Sequence, residues 1–217
     1  MSNMAMIAGT IYGVALNDRE QCARLAAAFE SPPYNKPPRK PVLYIKPRNC
    51  LMGDAGRIPL PSDLSHIEAA PSLALLIGRD TARVAPQAAL GHVAGACLAL
   101  DIGEPGTGYY RPPVRQRCRD GFLRLGAMVP FQPDILSGAI DIAVNDKNIG
   151  HWPLSRLVRG AARLIAEVSS FMTLAAGDLL LTGLPQDAPC LADGDRIAAQ
   201  LGNLPPLSAR VCREAAP

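Results

Sequence analysis

Leu73-Ala-Leu-Leu-Ile-Gly78 decides the fold class. It is a continuous apolar run, free of charge and closed by a glycine, of the length expected for a strand buried on both faces. Downstream, a helical pattern over Pro86 to Ala96 feeds a second apolar stretch, Cys97-Leu-Ala-Leu-Asp-Ile102. Upstream, Pro41-Val-Leu-Tyr-Ile-Lys-Pro47 reads as a short strand, and Ile7-Ala-Gly-Thr-Ile-Tyr-Gly-Val-Ala-Leu16 as a strand entering an Asn17-Asp18 turn. Gly177-Asp-Leu-Leu-Leu-Thr-Gly183 and Asp195-Arg-Ile-Ala-Ala-Gln-Leu201 are closing strands, each opened by a Gly-Asp turn.

The 21 prolines and 19 glycines argue against a helical bundle, because both residues interrupt helices and gather in turns. Three helices are expected. Gln21 to Phe29 follows a capping box made by Asp18 and Gln21. Pro86 to Ala96 is the second. Ser155 to Phe171, capped by Ser155, places Leu157, Val158, Ala161, Leu164, Ile165, Val168 and Phe171 on one face. Ile140-Asp-Ile-Ala-Val144 and Asn148-Ile149 form a hairpin around Asn145-Asp146, residues that tolerate positive φ. Ser31 to Pro41 is an extended loop, either a linker or a mobile lid, since a residue before proline is pushed out of the helical region. The expected organisation is a segment 1–40 of strand, helix and proline-rich loop, followed by the main domain over 41–217. The fold class is α+β and β-rich, with a few peripheral helices.

A chain of 217 residues with 48% hydrophobic residues buries one core and is neither disordered nor fibrous. Its 22 Lys and Arg are scattered among 19 acids, which argues against nucleic acid as a partner. No apolar run approaches a membrane span, and Met1 to Met6 lacks the pattern of a signal peptide, so a cytoplasmic protein is expected. The six cysteines stand singly and are read as free thiols. His66, His92 and His151 are isolated in sequence and are read as structural, and Trp152 as an anchor of the hairpin. No nucleophile elbow, dinucleotide fingerprint or phosphate loop is present, which leaves metal-assisted or acid–base chemistry and directs attention to the carboxylates.

Several phrases together resemble the fumarylacetoacetate hydrolase family. They are Gly13-Val-Ala-Leu-Asn17, Tyr44-Ile-Lys-Pro47 with Arg48-Asn49, Ile58-Pro-Leu-Pro61, Leu73 to Gly78, Asp101, Cys118-Arg-Asp-Gly-Phe122, Gly126 and Thr182-Gly-Leu-Pro185. Ile45 to Asn49, Phe29 to Tyr34, Tyr110-Arg-Pro-Pro113 and Arg117-Cys-Arg-Asp-Gly-Phe122 are similar to the N-terminal half of the bifunctional isomerase/decarboxylases of 4-hydroxyphenylacetate (homoprotocatechuate) breakdown. The resemblance implies a fumarylacetoacetase-type mixed β-sandwich or roll. It also implies Mg²⁺ or Mn²⁺ held by a Glu-x-Glu pair and a later Asp, polarising a 2-oxo acid; such hard ions take oxygen ligands in an octahedron.

This chain departs from that pattern. The positions implied for the two glutamates are Ala70 and Ser72, and Asp101 alone keeps a carboxylate, as a relic ligand or as a strand-end acid bonded to a turn. Glu68 substitutes only if the strand slips by an even number of residues. The family's histidine base is replaced by Gln21, its lysine by Arg117, and one hydroxyl of its Thr-Gly-Thr-Pro phrase by Leu184, leaving Thr182. Lys46 either binds an anionic substrate or snorkels from a strand end. Arg117, Arg119 and Asp120 form either a carboxylate-binding cluster or a surface ion-pair strip. Lys46 and Asp101 are thus the candidate catalytic residues, and Arg117, Arg119 and Thr182 the candidate substrate-binding ones. The resemblance further implies a subunit that processes 5-oxopent-3-ene-1,2,5-tricarboxylate and 2-hydroxyhepta-2,4-dienedioate together with a sister subunit or a second copy, the ion being bound weakly by this chain alone. The alternative is a non-catalytic structural or regulatory paralogue.

Overall fold

The computed structural model describes residues 7–52, 56–106, 108 and 111–215. Met1 to Met6 and Tyr110, both used in the sequence reading, lie outside the described residues. Among the described residues the strands form one sheet of eight and one of five. The larger runs β2(Val42–Lys46), β1(Ile11–Ala15), β10(Leu179–Leu181), β4(Ile67–Ile77), β5(Val93–Gly103), β6(Leu123–Leu125), with β7(Val129–Pro130) on β5 and β11(Cys190–Leu191) on β4. The smaller runs β3(Arg57–Leu60), β13(Leu207–Arg213), β12(Arg196–Leu201), β8(Ala139–Val144), β9(Lys147–Pro153). The helices are short: α1(Arg19–Arg24), α2(Ala26–Phe29), α3(Pro86–Ala89), α4(Val114–Arg117) and α5(Ala161–Ser169). None of the described helices is long and apolar enough to cross a membrane.

The run that opened the sequence reading is the centre of this architecture. β4 extends to 11 residues and pairs antiparallel along its length with β5, which is also 11 residues long. Alternate side chains go to two different cores. Leu73, Leu75, Leu98 and Leu100 face the smaller sheet and pack with Ile140, Ile142, Ile197, Val211 and α5. Ala74, Leu76, Cys97 and Ala99 face the other way and pack with Ile11, Leu179 and Leu181. Both faces are covered, which is why the sequence of β4 carries no alternation. β1, from the segment 1–40, lies between β2 and β10 in the same sheet as the rest of the chain.

The larger sheet is rolled. β2 stands four places from β5 in the strand order, which in a flat sheet would separate them by about 19 Å. Yet Lys46 Nζ on β2 lies 2.8 Å from Asp101 Oδ1 on β5, so the two ends of the sheet curl toward each other and enclose an interior.

Three local expectations are corrected. The helix expected over Ser155 to Phe171 spans only Ala161–Ser169, with Gly160 rather than Ser155 at its N-cap. The cause is tertiary: Val158 N donates to Asn17 O, Arg159 N donates to Asn17 Oδ1, and Asn17 Nδ2 donates to Arg159 O, so the backbone at Val158 and Arg159 is held by Asn17, just beyond β1, and does not join the helix. The helix over Pro86 to Ala96 stops at Ala89, because pairing with Ile77 draws the chain into β5 from Val93. Asp18 does occupy the N-cap position of α1, but the capping box does not form. Its carboxylate instead accepts from Arg156 Nε at 2.9 Å, Arg156 Nη2 at 2.5 Å, Gln186 N at 3.0 Å and Trp152 Nε1 at 3.4 Å. Gln21 Oε1 accepts from Leu16 N at 3.1 Å.

The hairpin is as expected: Asn145 and Asp146 have φ of 50° and 64°. Gly177 and Gly194 both take positive φ, and the aspartate after each accepts a hydrogen bond from the backbone N–H three residues before it, Asp178 from Ala175 and Asp195 from Ala192. All six cysteines are free.

Candidate active site

The candidate site is built on the rolled face where β4 and β5 meet. Glu68, Ala70 and Ser72 alternate on one face of β4 and stand opposite Gly103, Asp101 and Ala99 of β5. The positions at 70 and 72 therefore look onto the space beside Asp101, but they bring a methyl group and a hydroxyl to it. The Ser72 hydroxyl is committed, donating to Gly183 O at 2.7 Å. Glu68 is displaced by one alternation along the strand and faces Gly103 rather than Asp101.

Asp101 is fully buried and is held by cations of the chain itself. Lys46 Nζ approaches Oδ1 at 2.8 Å and Arg117 Nη1 at 3.3 Å, while the Tyr44 hydroxyl donates to Oδ2. Asp101 is thus not a strand-end acid bonded to a turn. Lys46 does not snorkel either: its side chain has no exposure, and its ammonium also donates to Arg117 O at 2.6 Å, Ile102 O at 2.7 Å and Phe122 O at 2.9 Å. Three N–H donors are shared among four oxygens. Lys46 ties the end of β2 to β5, to the last residue of α4 and to the loop entering β6.

Gly103 leaves room for the Arg117 side chain to pass to the cluster. A Cβ there would lie 3.3 Å from Arg117 Cγ. The guanidinium spans Asp101 and Glu68, at 3.6 Å from Glu68 Oε1, and lies 5.8 Å from the centre of the Tyr44 ring. That ring in turn needs Gly13, since a Cβ on Gly13 would fall inside it. Arg119 is taken up elsewhere: its guanidinium grips both oxygens of Asp63 at 2.9 Å and Glu104 at 2.6 Å. The Thr182 hydroxyl donates to Leu73 O at 3.1 Å, and Asn17 Nδ2 donates to Thr182 O at 2.7 Å. The structure therefore brings Lys46, Asp101 and Arg117 together, and ties Arg119, Thr182 and Gln21 into other contacts. Tyr44 is a further site residue, absent from the candidates drawn from the sequence. Alternation along β2, with Lys46 two residues on, was the signal for it.

Beside the cluster lies a cleft of about 420 Å³, lined in part by Tyr44, Arg111, Pro112, Val114, Arg117 and Cys118. Among the described residues that line it there is no Asp or Glu. Two arginines and an apolar wall suit an organic anion.

A divalent ion does not fit these residues. Hard ions need several negative or neutral oxygens around them, and here one carboxylate is already met by two positive side chains. No group of three or more His, Cys, Asp or Glu among the described residues is placed to hold an ion.

Burial pushes the Glu68 carboxyl upward, more than the Arg117 guanidinium pulls it down. A carboxyl raised in the folded state binds its proton more readily there, so its ionisation works against folding as pH rises above its ordinary 4.5. Glu68→Gln is accordingly expected to leave stability unchanged below that pH and to raise it at neutral pH, as read from urea midpoints at both. A Glu68→Gln protein less stable at neutral pH would show that the Arg117 contact outweighs burial.

Comparison with known proteins agrees with this architecture. The profile described as fumarylacetoacetate (FAA) hydrolase C-terminal matches residues 10–212. The chain is similar to the 4-hydroxyphenylacetate degradation bifunctional isomerase/decarboxylase of Salmonella dublin, with 37% identity over 206 residues, 95% of this chain and 48% of that protein. The Escherichia coli protein of the same name is 36% identical over 206 residues, again 48% of its length. The chain thus spans about half the length of these curated relatives. Among solved structures, fumarylpyruvate hydrolase from Pseudomonas aeruginosa, in complex with Mn²⁺ and pyruvate, superposes with a TM-score of 0.81 at 22% identity, covering 95% of this chain and 90% of that one. The 5-carboxymethyl-2-hydroxymuconate delta-isomerase from Mycobacterium smegmatis gives 0.80 at 24% identity, covering 96% and 78%. These two likenesses establish the fold. With nearly its whole length matched by the family profile, the chain belongs to the fumarylacetoacetate hydrolase family.

Proposed function

We propose that this chain is one half of an isomerase/decarboxylase of 4-hydroxyphenylacetate catabolism, acting on 2-hydroxyhepta-2,4-dienedioate and 5-oxopent-3-ene-1,2,5-tricarboxylate. On this reading the cleft beside Tyr44, Arg111 and Arg117 receives the anionic substrate. The Mg²⁺- or Mn²⁺-dependent step belongs to a sister subunit of the same family, because this chain's own metal site is degenerate. The assembly is cytoplasmic. The observation that carries the reading is Ala70 standing opposite Asp101 while Lys46 and Arg117 neutralise that carboxylate. The identity to relatives that are twice as long, and whose names carry both activities, supports a paired arrangement.

The test is an assay of both substrates with the isolated chain, with the sister subunit, and with their mixture in Mg²⁺. Turnover by the mixture beyond that of either part is expected. A mixture that neither gains rate nor elutes as a larger species removes the partnership. A second reading, a non-catalytic paralogue that only stabilises its partner, is favoured by the commitment of Ser72, Thr182, Gln21 and Lys46 to internal hydrogen bonds. Under that reading Arg117→Gln leaves every rate of the mixture unchanged.

A further inference from the structure

The Asp101 cluster sets two cations, Lys46 and Arg117, against two carboxylates, and one of those cations also reaches the cleft. Lys46 at 2.8 Å and Arg117 at 3.3 Å both meet Asp101. The second acid of the group, Glu68, is 3.6 Å from Arg117. Arg117 is the member that also forms part of the cleft wall, where Arg111 joins it and no acid opposes them among the described lining residues. The rest of the wall is largely hydrocarbon, with Val42, Leu43 and Val114 in it.

We propose that this cleft captures a carboxylate directly on Arg117 and Arg111 without a metal ion, Lys46 and Arg117 supplying at Asp101 the two positive charges that a divalent ion would bring. Lys46 is here a positioning residue: its bonds to Arg117 O and Phe122 O fix the segment that presents Arg117. The inference rests on the cleft being the substrate-receiving site. It has a chemical signature of its own. A guanidinium takes a carboxylate through paired N–H donors and gains little more from a neighbouring ketone, a neutral acceptor, whereas a divalent ion would act as a Lewis acid toward the ketone oxygen of a 2-oxo acid as well as toward its carboxylate.

Calorimetric titration of the full chain with glutarate and with 2-oxoglutarate, each in EDTA and then in excess Mg²⁺, reads this difference. Affinities for the two acids are expected to agree within about threefold and to be the same in EDTA and Mg²⁺. Arg117→Gln is expected to weaken both by about tenfold or more. Arg111→Gln, an exposed position outside the Asp101 cluster, weakens both by a smaller factor and decides the matter if the Arg117 variant does not fold. Binding that EDTA abolishes, a Mg²⁺-dependent preference for 2-oxoglutarate, affinity indifferent to the arginine substitutions, or no binding of either acid each overturns the proposal. Metal-free binding without turnover by the mixed subunits sinks the pathway reading alone; turnover without metal-free binding sinks this one alone.

Discussion

Lys46→Met is expected to cost about 3–5 kcal/mol of stability, because removing one partner of a buried pair strands the other. The methionine fills much the same volume, so little of the loss is packing. What is lost is the ammonium that serves Asp101, Ile102 O, Arg117 O and Phe122 O. Asp101 would then rest on Arg117 and the Tyr44 hydroxyl, and three carbonyls would be left short of a donor in a site closed to water. For a chain of this length the melting temperature should fall by roughly 10 °C. Adding Asp101→Asn to Lys46→Met should recover part of the loss, since it removes the stranded charge, and the double-mutant cycle measures the coupling. A loss below about 1 kcal/mol for Lys46→Met would mean the ammonium gains no more from its four oxygens than from water.

The second large effect is expected at Asp18. Its carboxylate, with no exposed surface, gathers Arg156 from the turn after β9, Trp152 from β9 itself and the backbone N–H of Gln186. These partners come from two stretches of chain far from Asp18 in sequence, so Asp18 braces the start of α1 against the end of β9 and against the segment that follows Thr182. Asp18→Asn keeps the shape but turns an amide N–H toward donors. The expected cost is about 2–4 kcal/mol, from one unmatched contact and the loss of a charge-assisted pair. Because α1 carries Gln21 and Cys22 beside Leu16, native-state hydrogen exchange should quicken in 16–25 before the rest of the chain. A loss of a few tenths of a kilocalorie, the size of a surface effect, would show that the Asp18 charge gains no more from Arg156, Trp152 and Gln186 than from water.

These two residues also mark how far the sequence could be read. The β4–β5 pair was legible because runs without alternation mean burial on both faces, and the Gly-Asp turns because positive φ selects glycine. Asp18 was read by its neighbours in sequence, as a cap, whereas its partners lie more than 130 residues away. The helix from Ser155 was overextended for the same reason: apolar spacing continues through Leu157 and Val158, but Asn17 has already claimed the backbone of Val158 and Arg159. At the site, Ala70 and Ser72 were legible as the positions where the resemblance implies glutamates, and the register sets Ala70 opposite Asp101 and Ser72 opposite Ala99. That Lys46 and Arg117 converge on the same carboxylate was not, because β2 and β5 are brought together only by the rolling of the sheet.

If Lys46 and Arg117 satisfy Asp101 from within, the chain takes up no divalent ion there. Mn²⁺ titrated into the EDTA-treated isolated chain and followed by electron paramagnetic resonance tests it most directly. The free-ion signal should grow in proportion to added metal from the first addition, with and without Asp101→Asn. Stoichiometric loss of that signal in the wild type, restored by Asp101→Asn, would contradict the account.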